Sequence, residues 1–435
     1  MRKHLAHRSR LHYGWIVASI TFLTLLAAAG MRSTPGVLIV PLEHEFGWSS
    51  ATISLSVSIN LVLFGLSGPF AAALIQRFGV KWVMLGGLLL VAIAASCTTL
   101  MNEPWELDLF WGILVGLATG SISSVLGAIV ADRWFSQRRG FVTGLLSASN
   151  ATGQLVFLPL LASVVVSSGW RIASFVVAGS ALLITPIVAL FMRERPQDIG
   201  LQPYGAVETQ PVVESQANPL TAAFGGLMRG LRSQDFWLLA GSFFICGLTT
   251  NGLIGTHLIP ASMDHGIPEV TAASMLALIG IFDLIGTTVS GWLSDRIDNR
   301  VLLCWYYALR GLALLWLPYA LGSSWLSFLV FIVFYGLDWV ATVPPTARLT
   351  ADLFGKEQMG VVYGWIFASH QLGAATAAFG AGVLRTWLGN YQVTFLIGGL
   401  FCLVAAGMVI RIGRSSRNQA IEVELPVVPS ASSLS

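Results

Sequence analysis

Four charged side chains lie deep inside long apolar stretches of the sequence: Arg32, Asp283, Arg310 and Asp338. An ionised group at the centre of a lipid bilayer costs at least about 2.5–3.5 kcal/mol, so charges that persist there mark functional sites by default. An arginine presents a planar fork that binds a carboxylate through two hydrogen bonds. An aspartate in the same setting can carry a proton or hold a neighbouring cation. The chemistry that these residue types allow is therefore anion binding, ion pairing and proton transfer.

The composition places these residues in a membrane. The chain has 435 residues, of which 55% are hydrophobic and 10% charged, and its mean hydropathy is +0.75. Soluble proteins average about 25% charged residues, so a soluble enzyme, a secreted disulfide domain and a disordered chain are excluded. A net charge of +3 is too balanced to indicate a nucleic-acid partner. The four cysteines lie within apolar runs, which indicates core positions rather than disulfides or a metal site.

Apolar runs of about twenty residues, the length that crosses a hydrocarbon core of about 30 Å, predict twelve transmembrane helices. They cover about 15–41, 50–75, 82–101, 107–131, 140–166, 171–192, 236–261, 271–292, 301–321, 325–345, 360–385 and 393–411. Most lysines and arginines fall on one side of this arrangement. Of the 24, Arg171 and Arg385 lie on the other side, while Arg32 and Arg310 lie within spans. Because basic loops stay in the cytoplasm, we expect both termini to be cytoplasmic.

The predicted fold class is an all-α membrane protein whose spans divide six and six. We expect an N-terminal six-helix bundle over 1–192, a cytoplasmic linker over 193–235, a C-terminal six-helix bundle over 236–411 and a disordered tail over 412–435. Apolar residues at helical spacing in the linker predict a short amphipathic helix on the membrane surface, and these are Leu220, Phe224, Leu227 and Leu231.

The two halves of the sequence repeat. RGFVTG at 139–144 and MGVVYG at 359–364 occupy corresponding places, and each is followed nine residues later by another glycine. Two parallel repeats with a binding site between them at the membrane midplane are the plan of a transporter. The repeat sets Arg32 opposite Asn251, and it sets Asn150 opposite His370. We expect both asparagines to be neutral polar residues that line this site.

Two loops resemble the cytoplasmic loop motif of the major facilitator superfamily. Residues 291–296 read GWLSDR, and residues 74–81 read LIQRFGVK, with glutamine where most members have aspartate. The resemblance implies the major facilitator fold. It also implies a gating role for four loop residues that tie cytoplasmic helix ends together, namely Gln76, Arg77, Asp295 and Arg296. The alternative is a pair of loops that merely turn and carry positive charge.

More narrowly, the chain is similar to the monocarboxylate porter family. YGW at 13–15, WFSQRRGFVTG at 134–144 and RPQDIGL at 195–201 match its signatures in part. This family places a substrate-anchoring lysine at the position of Arg32, so the resemblance implies that Arg32 holds the substrate carboxylate. A structural arginine, paired within the N-terminal bundle or extended toward the membrane interface, is the alternative.

The resemblance also implies a proton-coupling role for Asp283, because the family has an aspartate at this place in span 8. The family often adds an arginine four residues later, where this chain has Thr287. Arg310 and Asp338 lie at similar depth in spans 9 and 10, and an ion pair of Arg310 with either aspartate would remove a large desolvation penalty. We expect Arg310 to be a structural or gating residue. Asp338 stands beside Asp283 as a candidate proton carrier, and a purely structural role is the alternative for each aspartate.

His370 lies near the midplane of span 11, where related oxalate:formate antiporters carry a lysine. A neutral histidine can donate a hydrogen bond to a substrate. Because histidine replaces a fixed positive charge here, a dianionic substrate is disfavoured. The expected substrate-binding residues are Arg32, Asn150, Asn251 and His370, with a buried structural role as the alternative for the histidine and each asparagine.

The function expected from these features is proton-coupled symport of a small monocarboxylate, by alternating access, across a bacterial-type inner (plasma) membrane. The partners would be a small organic anion, protons and membrane lipids, and we expect the protein to act as a monomer. No P-loop, dinucleotide fingerprint, metal-ligand spacing or nucleophile elbow is present, so we expect neither an enzyme nor a cofactor. An exporter or exchanger of a larger organic anion or drug-like compound is the first alternative. A non-transporting membrane receptor or sensor is the second, although the sequence offers no signalling domain.

Overall fold

The computed structural model describes residues 12–206 and 219–413, apart from a few side chains that include those of Gln76, Asn150 and Leu220. The predicted disordered tail lies outside the described residues from position 414 onward. Within the described ranges the chain is helical. Its α-helices, numbered in chain order, are α1 (Tyr13–Ser33), α2 (Pro35–Phe46), α3 (Ser50–Phe78), α4 (Val80–Thr98), α5 (Pro104–Leu107), α6 (Gly116–Ser121), α7 (Ser124–Trp134), α8 (Arg139–Ser168), α9 (Trp170–Phe191), α10 (Pro219–Gly230), α11 (Gln234–Gly247), α12 (Gly255–Asp264), α13 (Glu269–Ser294), α14 (Asn299–Gly322), α15 (Trp325–Asp338), α16 (Val343–Phe354), α17 (Lys356–Leu388) and α18 (Gln392–Val409).

Several membrane crossings consist of consecutive helices joined without a loop. The first runs through α1 and α2 as one apolar segment, Tyr13–Phe46. Two others contain π-helical segments, Asp108–Val115 between α5 and α6 and Leu248–Ile254 between α11 and α12. Because the π-helical form is rare and often marks a functional position, these two crossings are the ones expected to contribute to a site.

Ten segments of the described residues are long and apolar enough to cross a bilayer, so the protein is a multi-pass membrane protein. The predicted spans 5 and 11 are not among these ten. They correspond to α8, with 30 residues, and α17, with 33 residues, each about 45–50 Å long at 1.5 Å per residue. Both helices are therefore long enough to cross a bilayer. Helix α8 contains a shorter apolar stretch, Thr152–Ser168, while α17 is less apolar along its length and contacts α3 of the opposite half rather than lipid alone.

The helices form two bundles that pack mainly within themselves. In the N-terminal bundle (α1–α9), α1 packs against α8 and α4 against α9; in the C-terminal bundle (α11–α18), α14 packs against α18 and α11 against α17. The bundles meet through three helix pairs, α3 with α17, α8 with α13 and α2 with α12. These pairs enclose the space between the bundles.

The two ends of the molecule differ in charge. We call the end that carries Arg133, Arg296 and Arg348 the basic face, and the end that carries Arg171 and Arg385 the opposite face. The bundles are in close contact at the opposite face.

Small residues make this contact possible. The backbone N–H of Ala51 on α3 donates to Oγ1 of Thr386 on α17 at 3.2 Å. One turn away, a Cβ placed on Gly382 would lie 2.8 Å from the carbonyl oxygen of Ser50 and would overlap the side chain of Ser54. The structure is therefore closed at the opposite face, and the closure depends on the missing side chain of Gly382.

Replacement of Gly382 by leucine should force the bundles apart at the opposite face, because the new side chain would occupy the place of Ser54. A cysteine introduced at Ala51, in a chain whose half-buried Cys97 and Cys304 are replaced by serine, should then react several-fold faster with a membrane-impermeant maleimide. Gly380→Leu is the matched control, because a Cβ at Gly380 meets nothing within 4 Å. Equal labelling rates in the two variants would contradict the prediction.

The first part of the linker packs on the N-terminal bundle, whereas its helix α10 contacts both bundles. The backbone N–H of Tyr204 donates to the carbonyl of Trp134 at 2.8 Å, which fixes the first part to the N-terminal bundle. Helix α10 packs against both α3 and α17, and the ring of Phe224 lies 6.2 Å from that of Trp365. Helix α10 therefore contacts both bundles, in addition to any membrane surface.

Candidate functional site

Arg32 lies in the last turn of α1, directly before the junction of α1 with α2. Thr34 separates α1 from α2, and Pro35, which has no backbone N–H, begins α2. The guanidinium lies over the ring of Phe64, with 4.5 Å between Cζ and the ring centroid. Among the described residues, no carboxylate oxygen lies within 4.0 Å of it. Arg32 is thus a half-buried cation with an aromatic contact and no anionic partner in this part of the chain.

A small cavity of about 30 Å³ lies beside Arg32, between the bundles. Asn60 and Gln154 line it from the N-terminal bundle, and Asn251 and Thr256 line it from the C-terminal bundle. Two of the predicted site residues, Arg32 and Asn251, therefore face the same cavity. The side chain of Asn150 is outside the described residues, so its role stays a prediction.

Sequence reasoning did not select Asn60 or Gln154. Asn60 is 2% exposed, and its Nδ2 donates to the carbonyl of Trp111 at 2.8 Å. It is a polar residue within an apolar span, and that signal was present in the sequence. Gln154 follows Asn150 by one helical turn, and residues four apart share a helix face. These two sequence signals could have identified Asn60 and Gln154 as candidate site residues.

His370 lies on α17, 7% exposed, among aromatic rings. Its ring stacks on Phe367 at 5.7 Å between centroids and lies 4.8 Å from Phe243. In the described part of the chain, Nδ1 of His370 and Oε1 of the neighbouring Gln371 are buried and have no hydrogen-bond partner. Buried polar atoms are normally hydrogen-bonded. These two adjacent residues thus offer polar atoms that a bound molecule could satisfy.

Arg310 forms a buried ion pair with Asp338. Its Nε donates to Oδ2 of Asp338 at 2.6 Å, and its Nη1 donates to Sγ of Cys246 at 2.9 Å. Its Nη2 donates to the backbone carbonyls of Asp338 and Trp339. Arg310 is 1% exposed and connects α14 with α11 and α15. The sequence left open which aspartate Arg310 would meet, and the structure places Asp338 there.

Asp283 is also buried, with 7% exposed, but it is held by neutral donors. Its Oδ1 accepts from Oγ1 of Thr287 at 2.8 Å and from the backbone N–H of Val340 at 2.9 Å. Thr287 thus supplies a hydrogen bond at the position where the similar family often has an arginine. Arg310 and Asp338 lie within electrostatic range of Asp283, although neither forms an ion pair or hydrogen bond with it.

The predicted site residues do not all lie in one place. His370 lies within range of both Arg32, from the N-terminal bundle, and Arg310, from the C-terminal bundle. The structure therefore brings Arg32 and Asn251 to one cavity between the bundles. The ring of His370 instead packs against Phe243 and Phe367 of the C-terminal bundle, and Arg310 and Asp338 lie inside that bundle.

The predicted gating residues lie at the basic face. Oδ1 of Asp295 accepts from Nη1 of Arg348 at 3.2 Å, which joins the ends of α13 and α16. Arg296 instead contacts its own helix, because its Nη1 donates to the carbonyl of Trp292 at 3.0 Å and its Cζ lies 4.1 Å from that ring. Arg77 likewise lies over the ring of the phenylalanine that follows it.

An acidic residue that sequence reasoning missed lies at the start of α4. The side chain of the predicted Gln76, at the end of α3, is outside the described residues. Glu194, after α9, accepts from the backbone N–H groups of Val80 at 2.7 Å and Lys81 at 2.8 Å, at the start of α4. It also pairs with Arg133 at 3.3 Å. A carboxylate at a helix N-terminus is favourable because it satisfies free N–H groups and the helix dipole. No sequence spacing signals this contact, since it joins residues more than a hundred positions apart.

Two bundles of membrane helices with polar residues between them are the plan of a membrane transporter. The family model of the Major Facilitator Superfamily matches residues 20–286 and 241–429. The chain belongs to this superfamily, whose members are transporters and not enzymes. The resemblance drawn from the sequence is thereby confirmed.

The chain is also similar to individual transporters and to a solved transporter structure. The chain is 25% identical over 402 residues to the uncharacterized MFS-type transporter YcxA of Bacillus subtilis (strain 168), covering 91% of this chain and 93% of that protein. It is 26% identical over 433 residues to monocarboxylate transporter 13 of Rattus norvegicus, covering 95% and 94%. A crystal structure of a bacterial homolog to the human lysosomal transporter Spinster, inward-facing and unoccupied, matches with a TM-score of 0.72 at 15% identity, covering 94% of this chain and 98% of that one. This structural similarity shows that the chain shares the fold of that transporter.

Proposed function

We propose that the protein is a proton-coupled symporter of a small monocarboxylate that works by alternating access between its two bundles. The observation that carries this proposal is the guanidinium of Arg32, which has no carboxylate partner among the described residues and lies beside a cavity lined by both bundles. A single fork of N–H donors suits a single carboxylate. Relatives named monocarboxylate transporters, in rat and in human, support the substrate class.

The rest of the substrate would meet neutral groups. Asn251 shares the cavity with Arg32, and His370 has a buried Nδ1 without a partner among the described residues. Asn150 is proposed to complete the set. Because these groups are neutral, the site would hold one negative charge on Arg32 and would leave a second one unpaired. A dianion is therefore disfavoured.

Asp283 is the proposed proton carrier, in preference to Asp338. Asp338 is fixed and charge-balanced by Arg310, whereas Asp283 accepts hydrogen bonds from two neutral donors. A proton on Asp283 therefore changes the charge of the central region by a full unit. With the substrate carboxylate on Arg32 and a proton on Asp283, the loaded protein has few unpaired charges near the midplane, which favours movement of the bundles.

We further propose that α8 and α17 also cross the membrane, which gives twelve spans, and that the basic face is cytoplasmic in a bacterial-type inner membrane. The excess of arginine at that face supports this orientation. The closed opposite face would then be the outer one, so that the described conformation exchanges substrate with the cytoplasm. We also propose that one chain suffices, since the site lies between bundles of the same chain.

The test is uptake into proteoliposomes of labelled lactate, pyruvate, longer monocarboxylates, a dicarboxylate and larger organic anions, with and without an inward proton gradient. We expect gradient-driven accumulation of a small monocarboxylate and none of the dicarboxylate. Transport confined to a large anion, regardless of the gradient, would support an exporter or exchanger instead. Binding without transport of any compound would support a receptor.

Asp283→Asn should abolish gradient-driven accumulation, because an amide cannot gain or lose the coupled proton. Exchange of labelled for unlabelled substrate across the membrane should persist, since Arg32 is unchanged. Asp352→Asn is the matched control, because this carboxylate is exposed at the basic face. Accumulation at the wild-type level in Asp283→Asn would remove Asp283 from the coupling role.

A further inference from the structure

An apolar groove runs along the N-terminal bundle between α3, α4 and α6, apart from the site between the bundles. Its volume is about 680 Å³, and its walls include Leu63, Phe70, Phe78, Trp82 and Gly86. Phe70 is 41% exposed, Phe78 53% and Trp82 66%, so the groove opens to the surroundings of the protein. In the membrane those surroundings are lipid.

The groove lies on a different side of α3 from the inter-bundle contact. Gly65 packs against the side chain of Gln371 on α17, whereas the neighbouring Leu66 lines the groove. The groove is therefore not part of the space between the bundles. A molecule bound in it would touch the N-terminal bundle alone.

The groove is long enough to span one leaflet of a bilayer. On α3 its lining runs from Leu63 to Phe78, which corresponds to about 22 Å at 1.5 Å per residue. Half of a hydrocarbon core is about 15 Å. A groove of this length, apolar and open along its side, fits an extended hydrocarbon chain.

Positive charge stands at the end of the groove nearest the basic face. The guanidinium of Arg77 lies over the ring of Phe78, with 5.4 Å from Cζ to the centroid, and Lys81 adjoins Trp82. Among the described residues, neither cation has a carboxylate within 4.0 Å. The nearby Glu194 is already engaged by Arg133 and by two backbone N–H groups. Basic residues beside aromatic rings at this depth attract anionic lipid headgroups.

We propose that this groove binds an anionic phospholipid, with one acyl chain along α3 and α4 and the phosphate beside Arg77 and Lys81. The apolar walls select a hydrocarbon chain, and the two cations, which have no carboxylate partner in the described part of the chain, select a headgroup with net negative charge over a zwitterionic one. Gly86 leaves the space that the chain occupies, because a Cβ there meets nothing within 4 Å.

Native mass spectrometry of the purified full chain, titrated with phosphatidylglycerol or phosphatidylcholine of identical acyl chains, tests this proposal. We expect about 30-fold tighter retention of phosphatidylglycerol, which corresponds to about 1 kcal/mol for each of two cations. Gly86→Leu should lower phosphatidylglycerol retention at least several-fold. Gly179→Leu, at an equally open position on α9, should not.

The double variant Arg77→Gln/Lys81→Gln separates the charge from the groove. It leaves the apolar walls of the groove unchanged, and it should bind both lipids alike. Equal retention of the two lipids by the wild-type protein would overturn the proposal, as would unchanged retention of phosphatidylglycerol in Gly86→Leu. The readout is lipid binding and not transport, so its failure would leave the proposed transport function untouched.

Discussion

Arg32→Ala should reduce uptake of a monocarboxylate, measured below its KM, by about 10- to 150-fold while the protein still inserts and folds. A hydrogen bond to a charged group contributes about 1.5–3 kcal/mol, and each 1.4 kcal/mol corresponds to a factor of ten. The loss should be specific to the carboxylate, because Arg32 has no anionic partner among the described residues that would be left unpaired.

Two comparisons sharpen this result. Arg32→Lys keeps the charge but loses the planar fork, so its uptake should fall between that of the wild type and that of Arg32→Ala. The wild type should be inhibited by a carboxylate and not by the corresponding neutral amide, and Arg32→Ala should lose this discrimination. Arg411→Ala, at an exposed arginine at the end of α18, serves as the control. Wild-type uptake in Arg32→Ala would refute the assignment of Arg32 as the anchor.

Arg310→Met should destabilise the protein by about 3–5 kcal/mol, because it leaves the buried carboxylate of Asp338 without its cation. Two backbone carbonyls and the sulfur of Cys246 lose their donor in the same variant. The measurement is thermal unfolding in detergent. Arg32→Met provides a direct contrast in the same assay, since it removes an intramembrane cation with no ion-pair partner in the described residues, and it should unfold no earlier than the wild type.

The double variant Arg310→Met/Asp338→Leu tests whether the ion pair only stabilises the structure or also takes part in the transport cycle. Apolar replacements of similar volume for both members of a buried ion pair are often neutral for stability. Because every nitrogen of the Arg310 guanidinium already has a partner, we expect the ion pair to have a structural role only. The double variant should therefore regain most of the lost stability, and its transport rate should lie within a few-fold of that of the wild type. A stable double variant without transport would show that the pair takes part in the transport cycle.

Much of the fold could be predicted because it depends on local patterns. Apolar runs located the helices, and the polar stretch at 193–235 divided them into two sets. The differences arise where helices face protein instead of lipid. Helix α17 is long enough to cross but less apolar, and it contacts α3 of the other bundle. Helix α10 packs on α3 and α17, a contact that the amphipathic pattern of the linker alone did not indicate.

The site was predicted less completely. Arg32 and Asn251 line one cavity, but Asn60 and Gln154 in the same lining were overlooked because a single polar residue in a span carries little weight beside a charge. Glu194 was overlooked for another reason. Its role depends on the backbone N–H groups at the start of α4, which come close only after α9 has packed beside that helix.

The sequence by itself determined the membrane setting, the superfamily and the short list of intramembrane charges. Each of these depends on local counts of apolar residues, on short motifs or on the cost of a charge in hydrocarbon. The tertiary structure decided which charges meet. Arg310 pairs with Asp338, 28 positions away, while Asp283 is left with Thr287 and a backbone N–H and Arg32 with an aromatic ring. The physical reason is that the distance between side chains on different helices depends on the rotation and tilt of those helices, which packing sets and sequence spacing does not.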